Sequence, residues 1–250
     1  MADKVVLVTG ASQGIGEACA RSFAGAGWRV ILAARSADKM QAVIADLGDA
    51  GSNCLAVPTD VADPQSVERL FAQIGQDCGR LDAVFNNAGT FVSTTLVGDI
   101  DFEAWRRVLS VNLDGAFLIA AAAFRMMRAQ DPQGGRIINN GSISAHTPRY
   151  GSAPYTASKH AITGLTKSIS LDGRAFRIAC GQIDVGNAAT PMTARMSEGV
   201  PQADGSTKVE PTMDVNHVAQ AVLAMAELPL ESNVLFQTIM ATDMPFVGRG

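Results

Sequence analysis

The stretch that decides the fold reads Val8-Thr9-Gly10-Ala11-Ser12-Gln13-Gly14-Ile15-Gly16, and it joins a short apolar run to a stretch of helical length. Glycine lets a backbone turn tightly and approach a pyrophosphate, whose charge then lies at the amino terminus of the following helix. The spacing is GxxxGxG and differs from the GxGxxG of the general dinucleotide fingerprint. Such a turn can also be a plain connection, but its position at the first strand-to-helix junction favours a nucleotide site.

Outward from this turn, short apolar runs alternate with helical stretches along most of the chain. The predicted strands are 5–9, 29–33, 54–58, 83–86, 136–140, 178–183 and 235–241. The predicted helices are 14–26, 37–47, 64–75, 102–127, 154–176 and 215–228. This alternation predicts a parallel sheet covered by helices on both faces. The sequence therefore predicts an α/β fold, a doubly wound parallel sheet of about seven strands in a single domain over residues 1–250.

Bulk composition argues against several classes of protein. The chain carries a formal net charge of −4, whereas a nucleic-acid binder usually has a basic surplus. Cys19, Cys54, Cys78 and Cys180 lie far apart and the histidines form no ligand-spaced pair, so we expect neither a disulfide framework nor a metal site. The apolar run 116–124 is about half of what crosses a bilayer, and no secretory leader is visible. We expect a cytoplasmic protein without nucleic-acid or membrane partners.

The end of the second strand bears on the choice of cofactor. In such a fold an acid about 20 residues beyond the glycines holds the ribose 2′-hydroxyl of NAD, whereas an arginine suits the 2′-phosphate of NADP. Here the strand end has no acid, and Arg35 is the first charged residue after it. Arg35 could also be a solvated loop residue, and Asp38 is a rival. Because a guanidinium gains a charge-assisted contact with a phosphate, the sequence favours NADP(H) over NAD(H).

Polar residues also follow the third and fourth strands, as Asp60-Val61 and as Asn86-Asn87-Ala88-Gly89. Both groups lie at carboxyl ends of strands, on the side where open α/β sheets bind ligands. Each has a simpler explanation, since Asp60 could cap a turn and the Asn-Ala-Gly run could be a loop exit.

The fifth strand ends near Ser142, and Tyr155 and Lys159 follow near the start of the next helix. Four residues apart, Tyr155 and Lys159 lie on one helical face. A free phenol has a pKa near 10, and a neighbouring ammonium would favour its phenolate form. Ser142 could hold a substrate oxygen against Tyr155. Taken alone, a Tyr/Lys pair at this spacing can also be two helix neighbours that simply pack.

These motifs occur together, and together they are specific. TGASQGIG at residues 9–16, the Asn-Asn-Ala-Gly run, Ser142 and the Tyr-xxx-Lys pair are the signature of the short-chain dehydrogenase/reductase family, which the sequence resembles from Lys4 to about Thr190. The resemblance implies a Rossmann-type fold and hydride transfer with NAD(P)(H). It also implies a small-molecule carbonyl or alcohol as substrate, and a homo-oligomer, a dimer or tetramer.

The resemblance assigns roles to individual residues. Tyr155 is the implied acid/base, and Lys159 lowers its pKa and binds the nicotinamide ribose. Ser142 positions the substrate and Asn112 anchors a water relay. The residues implied at the cofactor are Gly10, Ser12, Gln13, Gly14, Ile15, Arg35, Asp60, Val61, Asn87, Ala88, Gly89, Tyr155, Lys159, Ala188 and Thr190.

The sequence also departs from the family. Val185 stands where a proline is common, although Gly186 and Thr190 keep the rest of that motif. The carboxyl terminus lacks the usual glycine-rich ending, which leaves packing or a subunit contact as its role. The segment 191–211 has no clear periodicity and is predicted to be a substrate lid.

Several residues near the predicted site are open to two interpretations. His146 and Arg149 could touch substrate, but exposed loop residues are the expectation. Met192, Met196 and Met213 could line an apolar pocket or pack the lid down.

Two alternatives to a dehydrogenase stay open. One is a nucleotide-binding regulatory protein without turnover, against which the intact site residues speak. The other is an epimerase or dehydratase that uses the cofactor transiently. The small-residue stripe Ala157, Ala161, Gly164 and Ser168 could form a helix contact between subunits, or could face the sheet.

Overall fold

The computed structural model describes residues 4–92 and 94–247. Within them the strands are β1 (Val5–Thr9), β2 (Arg29–Ala34), β3 (Cys54–Pro58), β4 (Ala83–Asn86), β5 (Gly135–Asn140), β6 (Ile178–Gly186), β7 (Val200–Pro201), β8 (Thr207–Lys208) and β9 (Phe236–Met240). A seven-stranded parallel sheet has the order β3-β2-β1-β4-β5-β6-β9. The predicted α/β sheet is confirmed, with small differences at the strand ends.

The main helices of the described residues are α1 (Gly14–Gly25), α2 (Ala37–Asp46), α3 (Pro64–Asp77), α4 (Phe102–Leu109), α5 (Ala116–Ala129), α6 (Ala153–Asp172) and α7 (Val215–Glu227). Local signals start some of them. Asp63 caps α3 by accepting hydrogen bonds from the N–H groups of Gln65 and Ser66, with Pro64 at the first position. The predicted helix 102–127 is confirmed as α4 and α5, joined by a π-helical turn at Ser110–Gly115.

Alternate residues of each strand face opposite helical layers. Val6 and Val8 of β1 pack into one cluster with α1, α2 and α7. Val5 and Leu7 pack into a second cluster with α3, α5 and α6. Because both faces of the sheet are covered, all five residues of β1 are buried. This two-sided arrangement is that of a doubly wound, Rossmann-type single domain.

Strand β6 runs three residues further than predicted, to Gly186. The ladder with β9 pairs Val185 with Ile239 and Gly186 with Met240. Val185, the residue that departs from the family pattern, therefore lies within the sheet close to the cleft described below.

The carboxyl-terminal segment packs inside this chain. Ala241 and Met244 are buried against Ile143, and Phe246 packs at the margin of the same cluster. The expectation of a packing role is thereby met for these residues, while residues 248–250 of the atypical ending lie outside the described part of the chain.

The helical stretch Phe102–Ala129 is long and apolar enough to cross a membrane by length and composition alone. A core helix of a soluble protein passes the same test, and in this stretch α5 packs against the sheet. Its apolar character is explained by that burial, so it is weak evidence for a membrane.

Candidate active site

The carboxyl ends of β1 and β4 meet where the strand order reverses direction, which is where open α/β sheets bind ligands. A cleft of about 910 Å³ lies at this end of the sheet. Ser142 and every residue predicted at the cofactor line it: Gly10, Ser12, Gln13, Gly14, Ile15, Arg35, Asp60, Val61, Asn87, Ala88, Gly89, Tyr155, Lys159, Ala188 and Thr190. The fold thus brings residues from both halves of the sequence into one cavity.

The glycine turn has the backbone conformation that its sequence predicts. Gly10 and Gly14 have φ values of +67° and +60°, which L side chains rarely adopt. A Cβ at Gly10 would also lie 2.9 Å from Nδ2 of Asn87. Gln13, the residue just before α1, forms no side-chain capping hydrogen bond among the described residues. The amino end of α1 therefore fits the phosphates of a dinucleotide.

Asn87 ties three strand ends together beneath the cleft. Its backbone N–H donates to Oγ1 of Thr9 at 2.8 Å, and its Nδ2 donates to the Thr9 carbonyl at 2.8 Å. Nδ2 of Asn140 donates to Oδ1 of Asn87 at 2.9 Å. The buried Oδ1 of Asn140 has no hydrogen-bond partner within the described chain. An unsatisfied buried acceptor in a cleft wall is typical of a site completed by a bound group.

Asp60 and Val61 shape the cleft wall after β3. Oδ1 of Asp60 accepts the N–H of Ala62 at 3.0 Å, so the turn-capping interpretation is correct and is compatible with a place in the cleft. A Cβ at Gly115 would lie 2.8 Å from Cγ2 of Val61. Gly115 therefore allows the π-helical turn to pass close to this wall.

Two basic residues lie where the sequence predicts one. Arg35 is exposed at the end of β2, and Lys39 lies in the first turns of α2 with its Nζ 3.5 Å from Oε1 of Gln13. Both line the cleft, whereas Asp38, the rival residue, is absent from the described lining. The sequence did not reveal Lys39, and helical spacing could not have linked it to Arg35, because Arg35 precedes the amino terminus of α2.

Tyr155, Lys159 and Ser142 lie together at the other end of the cleft. Tyr155 is in the first turn of α6, and Nζ of Lys159 lies 5.6 Å from the centre of its ring. The Lys159 side chain is buried and donates a hydrogen bond of 2.6 Å to the carbonyl of Asn140. Burial lowers the pKa of Lys159 to about 8, and the charge of Asp184 opposes this shift. The sequence-predicted group is thus assembled around one cavity.

The pKa of Tyr155 differs from the sequence expectation. The pKa of Tyr155 is raised above its ordinary value, mainly by burial. A hydrogen bond from Ser142 and the charge of Arg149 oppose this rise, and the charge of Asp184 adds to it. The expected lowering by Lys159 together with a nicotinamide cation concerns the site with its cofactor bound, and it stays a prediction. Desolvation wins because the phenol lies in a low-dielectric part of the cleft, which favours its neutral form.

Asn112 occupies the π-helical turn behind the cleft wall. Its Oδ1 accepts the N–H of Thr90 at 2.7 Å and its Nδ2 donates to the Thr90 carbonyl at 2.8 Å. Nδ2 also donates to Oγ of Ser158 at 3.2 Å. The side chain therefore links α6 to the segment after β4. A role in a water relay stays a prediction.

The segment 191–211, predicted to be a substrate lid, contains Glu210 in an ion pair that the sequence did not reveal. Glu210 and Arg149 approach to 2.8 Å, and Arg149 also donates to Oδ1 of Asn187 at 2.6 Å. Asn187 and Gln202 donate to the Glu210 carboxylate at 2.9 and 3.1 Å. These groups come from three loops far apart in sequence, so spacing alone carries no signal for them.

The segment 191–211 is more ordered than its composition suggests. It contains a 3-10 turn at Ala194–Ser197 and the hairpin of β7 and β8. Met192 and Met196 line the cleft, whereas Met213 packs against core residues. Arg149 also lines the cleft, so the expectation of a simple exposed loop residue is wrong for it.

Comparison with known proteins agrees with this arrangement. The short chain dehydrogenase family model matches residues 4–201. The chain is 34% identical over 198 residues to a 3beta-hydroxysteroid dehydrogenase of Mediterraneibacter gnavus, covering 79% of this chain and 71% of that protein.

Solved structures share the whole architecture. Acetoin dehydrogenase YohF from Salmonella typhimurium has a TM-score of 0.80 at 29% identity, covering 95% of each chain. A 3-ketoacyl-(acyl-carrier-protein) reductase from Brucella melitensis complexed with NADH has a TM-score of 0.84 at 23% identity, covering 96% of this chain and 98% of that chain, which shows the fold. The sequence match, the sheet order and the assembled cleft lead to one conclusion: the chain belongs to the short-chain dehydrogenase/reductase family and is an NAD(P)-dependent oxidoreductase.

Proposed function

We propose that the chain interconverts a secondary alcohol and a ketone on a small molecule, with Tyr155 as the acid/base and NADP(H) favoured over NAD(H). The observation that carries this proposal is the convergence of Tyr155, Ser142 and Lys159 on one cleft with the glycine turn. A phenol, a hydroxyl and an ammonium at the end of a nucleotide cleft suit proton transfer to and from a carbonyl oxygen.

The chemistry follows from the ordinary properties of these groups. In reduction, the neutral phenol of Tyr155 donates its proton to the substrate oxygen, and the raised pKa of Tyr155 keeps that proton available at neutral pH. Ser142 donates a hydrogen bond to the same oxygen and fixes its position. Lys159 supplies a positive charge close to the oxygen that gains electron density. A bound nicotinamide supplies or accepts the hydride at the cleft.

The basic end of the cleft supports a preference for NADP(H). Arg35 and Lys39 both border the region beyond the glycine turn, and two cations attract a 2′-phosphate more strongly than a 2′-hydroxyl. Gly10, Gln13 and Gly14 would hold the pyrophosphate at the amino end of α1.

The assembled site also bears on the two alternatives. A catalytically silent nucleotide binder has no need of a phenol, a hydroxyl and a buried ammonium converging beside the glycine turn. Nothing in the described cleft favours an epimerase or dehydratase over simple hydride transfer.

We also propose a cytoplasmic homo-oligomer. The stripe of small residues on α6 lies away from the sheet: Ala157 and Ala161 are partly exposed and Gly164 and Ser168 are exposed. A Cβ at Gly164 would meet nothing within 4 Å among the described residues, which leaves room for a neighbouring helix. A single-chain mass at micromolar concentration in size-exclusion chromatography with light scattering would contradict this part of the proposal.

A carbonyl and alcohol panel, followed by absorbance of the reduced nicotinamide, tests the activity. Tyr155→Phe removes only the hydroxyl, so we expect turnover to fall by about a thousandfold while cofactor affinity, measured by fluorescence titration, changes less than twofold. Tyr150→Phe is the matched control, since the exposed Tyr150 lines the cleft outside the proposed acid/base group. Turnover that survives in the Tyr155 variant would refute the mechanism.

A further inference from the structure

Asp184 is a buried carboxylate directly behind the loop 142–146, which carries Ser142. Neither the sequence motifs nor the proposed mechanism uses this carboxylate. Only 1% of the residue is exposed, and it lies outside the described lining of the cleft. Burying a carboxylate is costly unless its oxygens are hydrogen-bonded. Its partners therefore indicate what the charge is there to hold.

Three groups satisfy this carboxylate. Its Oδ1 accepts the backbone N–H of Ser142 at 3.0 Å and Nε2–H of Gln182 at 2.7 Å. Its Oδ2 lies 2.7 Å from Nε2 of His146, whose side chain is 46% exposed. Ser142 and His146 are the two ends of the short 3-10 turn Ile143–Ala145, so one carboxylate clamps both ends of the loop that carries the catalytic hydroxyl.

Gly141 has no side chain, and this leaves the space that the Asp184 carboxylate occupies. A Cβ at position 141 would collide with Oδ1 of Asp184 and would lie 2.7 Å from Nε2 of Gln182. The carboxylate thus occupies the space of a side chain next to Ser142. The Gly141-Ser142 pair and Asp184 form one unit across β5 and β6, 42 residues apart in sequence.

The same charge acts on both titrating groups of the site. Asp184 raises the pKa of Lys159 and also raises the pKa of Tyr155. The titratable and charged groups that bear on this region are His146 from the loop, Tyr155 and Lys159 from α6, and Arg149 beside Tyr155.

We propose that Asp184, held by Gln182 and His146, is a positioning residue that fixes the Ser142 loop and sets the electrostatic balance of the Tyr155–Lys159 pair. The inference rests on the proposed oxidoreductase function. It adds a carboxylate–histidine support behind the serine, where the exposed histidine ring fixes the outer carboxylate oxygen and the inner one holds the serine backbone. The carboxylate touches neither substrate nor cofactor and acts only through Ser142, Tyr155 and Lys159.

Asp184→Asn tests the proposal because it keeps the shape and removes the charge. We expect kcat for ketone reduction to fall about tenfold, with the KM for the cofactor changed less than twofold. Since Asp184 raises the pKa of both Tyr155 and Lys159, its loss lowers both, and the alkaline fall of kcat should begin about half a pH unit lower. Hydrogen–deuterium exchange should be faster in peptides over residues 141–147 and unchanged in those over residues 83–86.

Asp82→Asn is the matched control. Asp82 accepts the N–H of Val5 at 2.8 Å and pairs with Arg80 at 2.6 Å, at the end of the sheet away from the cleft. The Asp82→Asn variant should leave kcat and the pH profile of kcat unchanged. His146→Gln should reproduce part of the faster loop exchange.

The outcomes separate this inference from the proposed function. A wild-type chain without turnover on the panel refutes the function, while loop exchange still decides whether Asp184 holds the Ser142 loop. Unchanged loop exchange in Asp184→Asn overturns the inference. Faster loop exchange without a shift in the alkaline fall of kcat would mean that Asp184 only supports the loop. That result would overturn the inference as well.

Discussion

The two ends of the cleft are built in different ways. At the cofactor end, the glycine turn, the end of β2 and the Asn87 region are short segments whose own sequence dictates their backbone. At the chemical end, geometry depends on side chains that meet across long separations, such as Asp184 with Ser142 and Arg149 with Glu210. A nucleotide is held mainly by backbone groups and charge, whereas a reacting oxygen needs side chains fixed in position. The difference predicts that substitutions at the two ends change different measurable quantities.

The largest effect is expected at the chemical end. Ser142→Ala removes a hydroxyl that borders the cleft and hydrogen-bonds to Tyr155. Losing one donor to a reacting oxygen typically costs a hundredfold or more in rate, so we expect kcat/KM to fall about 100-fold. The dissociation constant of the cofactor should stay within twofold, as measured by fluorescence titration.

Ser52→Ala is the control for this variant, since Ser52 is exposed and donates only locally, to the Asp49 carbonyl at 2.7 Å in the described chain. If Ser142→Ala weakened cofactor binding as much as it lowered kcat/KM, the proposed difference between the two ends of the cleft would be contradicted.

At the cofactor end, Arg35→Ala sharpens the comparison. A charge-assisted hydrogen bond to phosphate contributes about 1.5–3 kcal/mol, so we expect NADPH to bind about 30-fold more weakly and NADH nearly as before. Isothermal titration with both cofactors measures this, and kcat at saturating NADPH should change less than threefold.

Arg69→Ala provides a surface control, because Arg69 is exposed and pairs at 3.6 Å with Asp63, away from the cleft. Equal weakening of both cofactors, or none, would contradict the preference for NADP(H).

The same division explains how much could be predicted from the sequence. The sheet, its two helical layers and the residues lining the cofactor end follow from periodicity and from motifs whose physical cause is local, such as positive φ at Gly10 and Gly14. Ser142, Tyr155 and Lys159 were found because the family motif links them. Asp184, Arg149 and Glu210 carry no such signal, because their pairing depends on which loops the fold brings together.

Two comparisons show what the tertiary structure adds. The pKa of Tyr155 was expected to fall beside an ammonium and a nicotinamide cation, whereas in the chain itself burial is the largest influence and raises it. The end of β6 was placed at residue 183, but the ladder continues through Val185 to Gly186. In both cases the result depends on residues that are distant in sequence, so the spacing of residues along the chain could not predict it.

The smallest effect is expected in the segment 191–211. Burial alone would raise the pKa of Glu210, but hydrogen bonds from Asn187 and Gln202 and the charge of Arg149 hold it below its ordinary value. A carboxylate with a lowered pKa in the folded state stabilises the protein above its unfolded pKa, and this stabilisation is lost as the pH falls through the folded pKa.

Glu210→Gln should therefore lower the free energy of unfolding by about 1–2 kcal/mol at pH 7, and Tm by about 3–6 °C for a chain of this size. The gap between wild type and variant should close as the pH falls below the ordinary carboxyl range, because protonated Glu210 resembles glutamine. Scanning calorimetry from pH 7 down to about pH 2 measures this gap, because the folded pKa lies below the ordinary carboxyl range. Asp204→Asn is the control, since the exposed Asp204–Lys208 pair at 3.6 Å lies in the same segment 191–211. A stability gap that is constant with pH would show that the ion pair does not hold the segment 191–211. The contrast between an end built from backbone groups and an end built from side chains would then rest on the Ser142 loop alone.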